Sequence, residues 1–400
     1  MKKVFRIPLF WLIMLIRMVI RPLYRIWPRN PSRRNILIVC NRVLMADFIA
    51  EVCELFKGDE RLRFKLFSVF DADRRGAFDR PGAKEDIIRK LPFPLSRRPL
   101  AYFRRWDLII TASHASKEMV DSHFCPTLFI HHSMASSKQI ADGSYAFNSN
   151  AFDRLGRLRY TRMFSAGELN REIAVAMNPA FKDVIAVVGD LRNDRMIAQE
   201  SRRDEFRKEL GFKQNDIVVF VISTWGRGSL FRTIGEELLK EARKLQEEFC
   251  FVLSAHPMEY RPKPPGERVW GEYVRTQKLH GFLVREPGED WTSYLVACDV
   301  ILTDHTSLAL HGAVLGRPIV YVPVSDDLIM EGSITWRLRE ISPVIKEDAS
   351  DLRERLLSAI NDYSFDKLRK LGRAINPYPG QSAEKIRKET YELLKLEPPA

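Results

Sequence analysis

The sequence predicts an α/β protein made of two doubly wound domains, and three observations lead to this fold class. The chain has 400 residues, which exceeds the usual size of a single hydrophobic core. Short apolar strands alternate with helical stretches and end in polar residues, as in parallel sheets covered by helices. The same alternation begins again near residue 200. We therefore expect a helix over 1–30, domains over 31–200 and 201–385, and a C-terminal helix and tail over 386–400.

The first domain has the pattern of one parallel sheet. The strand NILIVC (35–40) is followed by a helix over 46–56 and by the strand RFKLFSVF (63–70). The further strand segments are WDLIITAS (106–113), PTLFIHHS (126–133), RYTRMFSAG (159–167) and VIAVVGD (184–190). Doubly wound sheets bind their ligands beyond the carboxyl ends of the strands. We expect the site of this domain at that edge.

The second domain repeats this pattern. It opens with the charged helix SRRDEFRKELGF (201–212), and a longer helix covers 234–248. Its strand segments are DIVVFVISTWGRGS (216–229), CFVLSAHP (250–257), GFLVRE (281–286), DVILTDHTS (299–307) and PIVYVP (318–323). No G-x-G-x-x-G and no G-x-x-x-x-G-K-[ST] segment occurs, which excludes a dinucleotide fingerprint and a Walker loop.

The positive charge of the chain is concentrated at one end. Residues 1–34 contain nine Lys or Arg and no Asp or Glu, which leaves only +3 of the net +12 to the other residues. The body of the protein is therefore nearly neutral, and we expect no nucleic-acid partner. Five scattered cysteines without a C-x-x-C pair indicate reduced thiols in a cytosolic setting and no structural zinc: Cys40, Cys53, Cys125, Cys250 and Cys298.

The N-terminal segment MKKVFRIPLFWLIMLIRMVIRPLYRIWPRN has the pattern of a helix lying on a membrane surface. Arg17 interrupts its apolar run and would cost about 2.5–3.5 kcal/mol at the centre of a bilayer. Arg17, Arg21 and Arg25 share one helical stripe, while apolar and aromatic residues cover the remainder. We expect a monotopic anchor on anionic lipid at the cytoplasmic face of the cell membrane. A tilted span and a helix docked on the protein body are the alternatives.

Two strand ends of the second domain could hold a phosphate. STWGRGS places Thr224, Gly226 and Arg227 between a strand and a helix. Small residues there let backbone amides approach a phosphate, and an arginine can add a bidentate contact. SAHP ends the next strand with His256. A glycine-rich turn alone is a common feature, so the prediction depends on the neighbouring strand ends as well.

A third strand end of the second domain, TDHTS, crowds polar residues ahead of a helix: Asp304, His305, Thr306 and Ser307. Hydroxyl side chains cap a first helical turn, and the same turn offers free N–H groups and a positive dipole end to an anion. In the first domain, FIHHS ends its strand with His131 and His132. Histidines at several strand ends that face one cleft indicate a site.

Two other kinds of site lack their sequence patterns. No H-x-x-x-H or H-E-x-x-H pair is present for a helical metal site, and no G-x-S-x-G elbow is present for a serine hydrolase. Phosphate handling with a histidine as the base is the chemistry that remains. We expect neither a metal ion nor another cofactor.

These motifs resemble the CDP-glycerol glycerophosphotransferase family of teichoic-acid and capsule synthesis, GT-B proteins that act on lipid-linked acceptors. GDLRND (189–194) is similar to the family's Gly-Tyr-Pro-Arg-Asn-Asp, STWGR to its Pro-Thr-Trp-Arg, and SAHP to its His-Pro strand end. ACDVILTDHTSLALHGAVLGRPIVYV resembles the signature Ser-Asp-Val-Leu-Ile-Thr-Asp-Tyr-Ser-Ser with its helix and Arg-Pro strand. PGQSAEKI (379–386) resembles the closing Gly-x-Ala-Ser-x-Arg-Ile. The likeness covers about residues 125–390.

The sequence departs from the family pattern at three places. The family's Trp-His-Gly-Thr stands here as His131, His132, Ser133 and Met134, its signature Tyr is His305, and Met258 follows the His-Pro pair where a basic residue is common. These departures affect the prediction of which donor is used more than the prediction of the fold. NPYPGQSAEKI and LSAHP are also similar to UDP-N-acetylglucosamine 2-epimerases, but the Ser-Gly-Gly turn and acidic catalytic residues of those enzymes do not occur at the matching positions.

The resemblance implies a transferase with a CDP-activated polyol phosphate as donor, most simply CDP-glycerol. A hydroxyl of a saccharide linked to a polyprenyl diphosphate, or of a growing chain, attacks the β-phosphorus and expels CMP. A single-addition role is favoured over a processive one because the chain has no spare domain for holding a polymer. The alternatives are CDP-ribitol as donor, a glycosyltransferase that uses a UDP-sugar, an epimerase, and a catalytically idle scaffold bound to the membrane.

The resemblance also suggests a role for each candidate residue. His132 is the expected general base, because an imidazole suits the deprotonation of an alcohol near neutral pH. His256 and Arg227 would balance charge on the donor diphosphate, with Thr306 and Ser307 donating at the helix start. Asp304 is expected to orient or cap that turn. The secondary candidates are His131, Arg192, Asn193, Asp194 and His305.

Overall fold

The structure is a computed structural model that describes residues 32–68, 83–114, 120, 124–131, 139–140, 143–144, 147–153, 155–361 and 365–399, together with residues 12, 15–16 and 19–20. The described residues of the N-terminal segment are helical, but the arginine stripe of the predicted membrane helix lies outside the described residues. His132, the expected general base, also lies outside them. Among the residues that the structure does describe, no helix is both long and apolar enough to cross a membrane.

The first half of the chain forms a parallel sheet of six strands in the order β2-β1-β3-β4-β7-β8. Its strands are β1 (Arg34–Val39), β2 (Leu62–Phe67), β3 (Leu108–Thr111), β4 (Thr127–Phe129), β7 (Arg162–Ser165) and β8 (Ile185–Val187). A separate antiparallel ribbon consists of β5 (Gln139–Ile140) and β6 (Gly143–Ser144). The helices are α1 (Val43–Glu54), α2 (Ala83–Lys90), α3 (Arg98–Phe103), α4 (Glu168–Met177) and α5 (Leu191–Ala198).

The second half forms a parallel sheet of five strands in the order β11-β10-β9-β12-β13. Its strands are β9 (Ile217–Ile222), β10 (Phe249–Ser254), β11 (Leu283–Val284), β12 (Val300–Thr303) and β13 (Ile319–Tyr321). The first helices are α6 (Arg203–Glu209), α7 (Leu230–Thr233), α8 (Gly235–Lys244), α9 (Trp270–Thr276) and α10 (Thr292–Ala297). They are followed by α11 (Leu308–Val314), α12 (Ile334–Glu340), α13 (Leu352–Asn361), α14 (Phe365–Ile375) and α15 (Ser382–Leu394).

The two sheets confirm the predicted α/β class. Strand β4 covers Thr127–Phe129 of the segment 126–133, and β9 covers Ile217–Ile222 of the segment 216–229. Residues 223–229 follow β9 as a turn, as the sequence predicts. Buried strands such as β9 and β12 are continuous apolar runs because helices cover both faces of a doubly wound sheet.

The last helix, α15, packs on the first half of the chain rather than on the second. Arg34 Nε donates to the Leu394 carbonyl at 2.9 Å, and Tyr391 Oη donates to Asp59 at 2.7 Å. Ile386 belongs to the same buried apolar cluster as the strands of the six-stranded sheet. The chain therefore returns to its first half at its end, which ties the two halves together. The predicted domain limits, 31–200 and 201–385, stay predictions.

Candidate active site

Three turns of the second half meet at the carboxyl edge of the five-stranded sheet. Strands β10, β9 and β12 are neighbours, and Ile222 at the end of β9 pairs with both Ser254 and Thr303. The turns over 223–229, 255–258 and 304–307 follow directly. The structure thus brings together the STWGRGS, SAHP and TDHTS segments. The FIHHS segment follows β4, which belongs to the other sheet.

Asp304 organises this edge from a fully buried position. Its carboxylate accepts hydrogen bonds from the backbone N–H of Thr224 at 2.8 Å, of Leu230 at 2.9 Å and of Thr306 at 2.9 Å. The Ser223 hydroxyl donates to it at 2.8 Å. Burial raises the pKa of Asp304 to about 6, against the effect of these hydrogen bonds. The predicted orienting role fits this geometry, whereas a direct contact with a ligand does not.

A second buried carboxylate, that of Glu259, holds the glycine-rich turn. It accepts from the backbone N–H of Gly226 at 2.7 Å and from Arg232 Nε and Nη2 at 3.0 and 2.8 Å. Gly226 and Gly228 adopt φ angles of 78° and 81°, which favour glycine. A Cβ atom at Gly228 would lie only 2.3 Å from Leu328 Cδ1. The turn is therefore fixed in a shape that only glycine permits.

The predicted phosphate-binding side chains lie at different depths. Thr224 is buried, whereas the Arg227 side chain is 77 % exposed and its Nη2 lies 3.1 Å from Asp327 Oδ2. Arg227 would have to leave Asp327 in order to reach a diphosphate in the turn. His305 is buried, and its Cε1 lies 3.1 Å from the position of a Cβ atom at Gly228. His305 therefore packs against the glycine-rich turn.

The hydroxyls ahead of α11 contribute little to capping the helix. Thr306 Oγ1 accepts from the Leu308 N–H at 3.5 Å, a long contact, and Ser307 forms no side-chain cap. The carboxylate of Asp304 accepts from the Thr306 N–H instead. That Thr306 and Ser307 donate to a diphosphate stays a prediction.

His256 has a defined tautomer. Its Nδ1 accepts a hydrogen bond from the Met258 N–H at 3.1 Å, so in the neutral ring the proton resides on Nε2. The ring is partly buried, and its centroid lies 6.2 Å from that of Trp225. A neutral imidazole held in this way offers one N–H donor. It suits the binding of a phosphate oxygen better than the removal of a proton.

A cleft in the first half lies at the carboxyl ends of β4, β7 and β8. It is open to solvent, and His131, Ser165 and Asp190 are among the residues that line it. His131 is only partly buried, and its ring stacks on Phe147 with centroids 5.7 Å apart. The chain leaves strand β4 at Phe129, and the His131 side chain lies at the cleft.

The GDLRND segment connects this cleft with the rest of the molecule. Arg192 lines the cleft and pairs with Asp190 through Nε at 2.8 Å. Asn193 is buried and contacts His311 of the second half, with Oδ1 and Nδ1 2.7 Å apart. Asp194 accepts from the backbone N–H groups of Gly380 and Ser382 at 2.8 and 2.9 Å. Asn193 and Asp194 therefore act as structural links, while Arg192 remains a candidate for ligand contact.

Sequence reasoning missed four polar residues near these sites: Glu51, His114, Glu259 and His311. His114 follows strand β3, and its Nδ1 lies 2.7 Å from Tyr160 Oη, so the strand-end rule that selected His131 also applies to it. Glu259 follows the His-Pro strand end by two residues. No local pattern marks Glu51 or His311. Among the described residues no group of three or more His, Cys, Asp or Glu side chains could hold a metal ion.

Comparison with known proteins gives one family and a set of similar folds. The family model described as CDP-Glycerol:Poly(glycerophosphate) glycerophosphotransferase matches residues 80–343. The wall teichoic acid polymerase TagF superimposes with a TM-score of 0.59 at 12% identity, over 96% of this chain and 98% of that one. No match is found among the curated protein sequences.

Two further structures are similar as well. The UDP-GlcNAc 2-epimerase of Neisseria meningitidis bound to UDP-GlcNAc has a TM-score of 0.54 at 16% identity, over 90% of this chain and 99% of that one. The S. aureus MnaA structure with UDP has a TM-score of 0.56 at 12% identity, over 92% and 99%. At these identities the likeness shows the fold alone, which is a GT-B-like pair of α/β domains.

Proposed function

The chain belongs to the CDP-glycerol:poly(glycerophosphate) glycerophosphotransferase family, and from this premise we propose that it transfers glycerol phosphate from CDP-glycerol to a hydroxyl of a saccharide linked to a polyprenyl diphosphate. The acceptor hydroxyl attacks the β-phosphorus and CMP leaves. The family supports a transferase of this type in teichoic-acid synthesis, while the lipid-linked acceptor is our proposal. The observation that carries it is the meeting of two strand-end turns on the buried carboxylate of Asp304, with the turn of His256 at the end of the neighbouring strand.

The donor diphosphate is assigned to the edge of the five-stranded sheet. The fixed glycine-rich turn can present backbone N–H groups to phosphate oxygens, as such turns do in other proteins. His256 would donate its Nε2–H to the same group, and Thr306 and Ser307 would add hydroxyl donors. Arg227 is exposed and could move from Asp327 onto the diphosphate. These residues stabilise negative charge that shifts toward the leaving CMP.

The acceptor hydroxyl needs a base, and the first half supplies two neighbouring histidines. His132 is the expected base, and His131 lines the cleft. A neutral imidazole can accept a proton from an alcohol in the transition state. We retain both as candidates. The cleft of the first half is assigned to the acceptor, since the donor turns belong to the other half.

Nucleotide release from a panel of donors tests this function. The full-length protein is incubated with a polyprenyl-diphosphate-linked saccharide and, separately, with CDP-glycerol, CDP-ribitol and UDP-N-acetylglucosamine. We expect CMP release from CDP-glycerol, with a large loss in His256→Gln and none in the matched surface variant His280→Gln. UDP release would favour the second candidate, a glycosyltransferase, which the epimerase-like NPYPGQSAEKI segment supports. Tight donor binding without turnover would indicate an idle scaffold.

We propose in addition that the N-terminal segment attaches the protein to the cytoplasmic face of the membrane as a surface helix. Leu12, Leu15 and Val19 are helical, share one face and expose 51%, 59% and 64% of their surface. The segment carries nine basic residues and no acidic ones over residues 1–34. An apolar stripe beside basic residues suits an anionic lipid surface.

Vesicle sedimentation tests this attachment. Binding of the full-length protein should need anionic lipid and should weaken as salt rises, because surface charges are screened within about 10 Å at 0.1 M salt. A variant without residues 1–26 should stay in the supernatant with unchanged melting temperature. If alkaline carbonate and high salt leave the protein on the membrane and only detergent extracts it, a spanning helix replaces the surface helix.

A further inference from the structure

The cleft of the first half contains an acidic residue to which no role has been assigned. Glu51 lies on α1 and lines the cleft together with Asp190 and Arg192. Its Oε1 accepts a hydrogen bond from Arg195 Nη1 at 2.9 Å, and 30% of its side chain is exposed. The carboxylate is therefore held in place by a guanidinium while part of it stays open to the cleft.

The charged groups around the cleft balance one another. Asp190 pairs with Arg192 on the cleft wall, and Glu51 pairs with Arg195. The Arg192 guanidinium also lies over the Phe48 ring, 4.4 Å from its centroid, so its orientation is fixed on two sides. The charges of the two carboxylates and the two guanidiniums cancel, so the cleft has no excess positive charge that would attract a free phosphate. The same groups offer many hydrogen-bond partners to a neutral ligand that carries hydroxyls.

The walls of the cleft suit such a ligand. Phe48, Phe164 and Ile386 supply apolar surface beside the charged groups. The position at the carboxyl ends of three parallel strands is where doubly wound sheets bind ligands.

We propose that this cleft binds a neutral, hydroxyl-rich terminal unit of the acceptor, with the Glu51 carboxylate accepting hydrogen bonds from its vicinal hydroxyls. The inference rests on the proposed function, because it takes the acceptor to be a saccharide or a polyol chain. It adds a substrate-contacting residue and the chemical class of the unit bound. His131 lines the same cleft, so a hydroxyl bound at Glu51 lies in the compartment that holds a candidate base.

The surroundings of Glu51 strengthen such hydrogen bonds. Burial raises the pKa of Glu51, and the nearby Arg195 and Arg192 guanidiniums oppose this effect. A carboxylate that is shielded from water has lost part of its hydration and gains more from a hydroxyl donor than an exposed one does. Glu54 lies one turn further along α1, is 65% exposed and pairs with Lys57. It provides a matched control on the same helix.

Binding is measured first without any donor. Saturation-transfer NMR with methyl β-D-glucopyranoside and with glycerol reports weak binding of a sugar and of a neutral polyol to the full-length protein. We expect Glu51→Gln to weaken binding of at least one probe about 10–100-fold, as loss of a hydrogen bond to a charged group does. Glu51→Asp should recover part of the affinity, and Glu54→Gln should match the wild type. Equal binding by Glu51→Gln and wild type, or no binding of either probe to the wild type, overturns the inference.

Transfer kinetics distinguish this inference from the proposed function. With CDP-glycerol as donor, Glu51→Gln should raise the KM for the lipid-linked acceptor about tenfold or more, while the donor Kd and the melting temperature stay near the wild-type values. If transfer occurs but the acceptor KM of Glu51→Gln is unchanged, the role of Glu51 is refuted and the function stands. If no donor is turned over but the sugar binds through Glu51, the function fails and the cleft stands.

Discussion

His311 Nδ1 lies 2.7 Å from Asn193 Oδ1, and both side chains are buried. His311 is on α11, the helix that follows the turn of Asp304, whereas Asn193 is on α5, the helix that follows the cleft residue Asp190. Because an amide oxygen only accepts, the imidazole donates from Nδ1. The Trp291 ring packs against the imidazole, with centroids 4.6 Å apart. This hydrogen bond joins the helix that follows the Asp304 turn to the helix that follows Asp190 in the cleft of the first half.

The His311 contact predicts a loss of stability in acid. Burial, the largest cause, and the nearby Arg192 guanidinium lower the pKa of His311 to about 3. The unfolded chain takes up this proton near pH 6.5 and the native state does not, so His311 lowers the free energy of unfolding by up to about 1.4 kcal/mol per pH unit as the pH falls from 6.5 toward 3. Urea midpoints between pH 4.5 and 7.5 measure this slope.

A difference between variants isolates the His311 contribution. His311→Gln should have a flatter midpoint-against-pH curve than the wild type, while the exposed His280→Gln should run parallel to the wild type. Asp304 acts in the opposite direction, because a pKa raised to about 6 adds stability as the pH falls through 6. This contribution of Asp304 is the same in the wild type and in His311→Gln, so it cancels when their curves are compared. Equal slopes for His311→Gln and wild type would contradict a buried, neutral imidazole.

Asp304→Asn should disturb the donor turn more than any surface change. The carboxylate accepts three backbone N–H groups, and an amide would turn a donor toward at least one of them. We expect a loss of about 1–3 kcal/mol in stability, the cost of an unsatisfied buried donor. The affinity for CDP-glycerol should fall by at least about tenfold, since about 1.4 kcal/mol corresponds to a factor of ten.

Calorimetric titration with CDP-glycerol and thermal melts check this prediction together. Asp326→Asn is the control, because Asp326 is 69% exposed and pairs with Arg339 rather than with a residue proposed to bind the donor. Wild-type donor affinity in a folded Asp304→Asn protein would show that the shape of the turn does not matter for the donor.

Substitutions at Thr306 and Ser307 distinguish a role in donor binding from a role in helix capping. Ser307 forms no cap, so Ser307→Ala should change the free energy of unfolding by less than about 0.5 kcal/mol, as ordinary surface substitutions do. Thr306→Ala should lower the free energy of unfolding by little more, because the hydrogen bond from the Leu308 N–H to Thr306 Oγ1 is long, at 3.5 Å. If both hydroxyls bind the diphosphate, each variant should still lose donor affinity in calorimetric titration. Unchanged affinity in both variants would leave the backbone N–H groups as the donors of this turn.

Much of the fold could be predicted because buried parallel strands are short apolar runs. Both sheets could be located because segments such as NILIVC and DIVVFVI are apolar runs typical of buried strands. The turns of Thr224, His256 and Asp304 could be located as well, since polar residues at the ends of neighbouring parallel strands lie at one edge of the sheet.

The charged partners within the sites could not be predicted from local pattern. Glu259 holds Gly226 across 33 positions of sequence, and Glu51 meets Arg195 across 144. Periodicity reports which face of an element is buried, but it does not report which distant residue that face meets. His311 was missed for the same reason, since its partner Asn193 lies in the other half of the chain.

The identity of the general base is the last prediction, and it concerns two adjacent residues. His131 lines the cleft, whereas His132 is the better match to the histidine of the family's Trp-His-Gly-Thr. Since a positioned base contributes about 10²–10⁴ in rate, replacing the base by Ala should lower kcat by that factor with little change in the donor Kd.

Single-turnover transfer from CDP-glycerol measures kcat for His131→Ala and His132→Ala, with His280→Ala as the surface control. A large loss in His131→Ala alone moves the role to the cleft residue, and a large loss in His132→Ala alone retains the family assignment. Because Nδ1 of His256 accepts from Met258, near-normal turnover in both variants would require a base on Nε2 of that ring in the other tautomer, and would exclude the strand end of β4 from the chemistry.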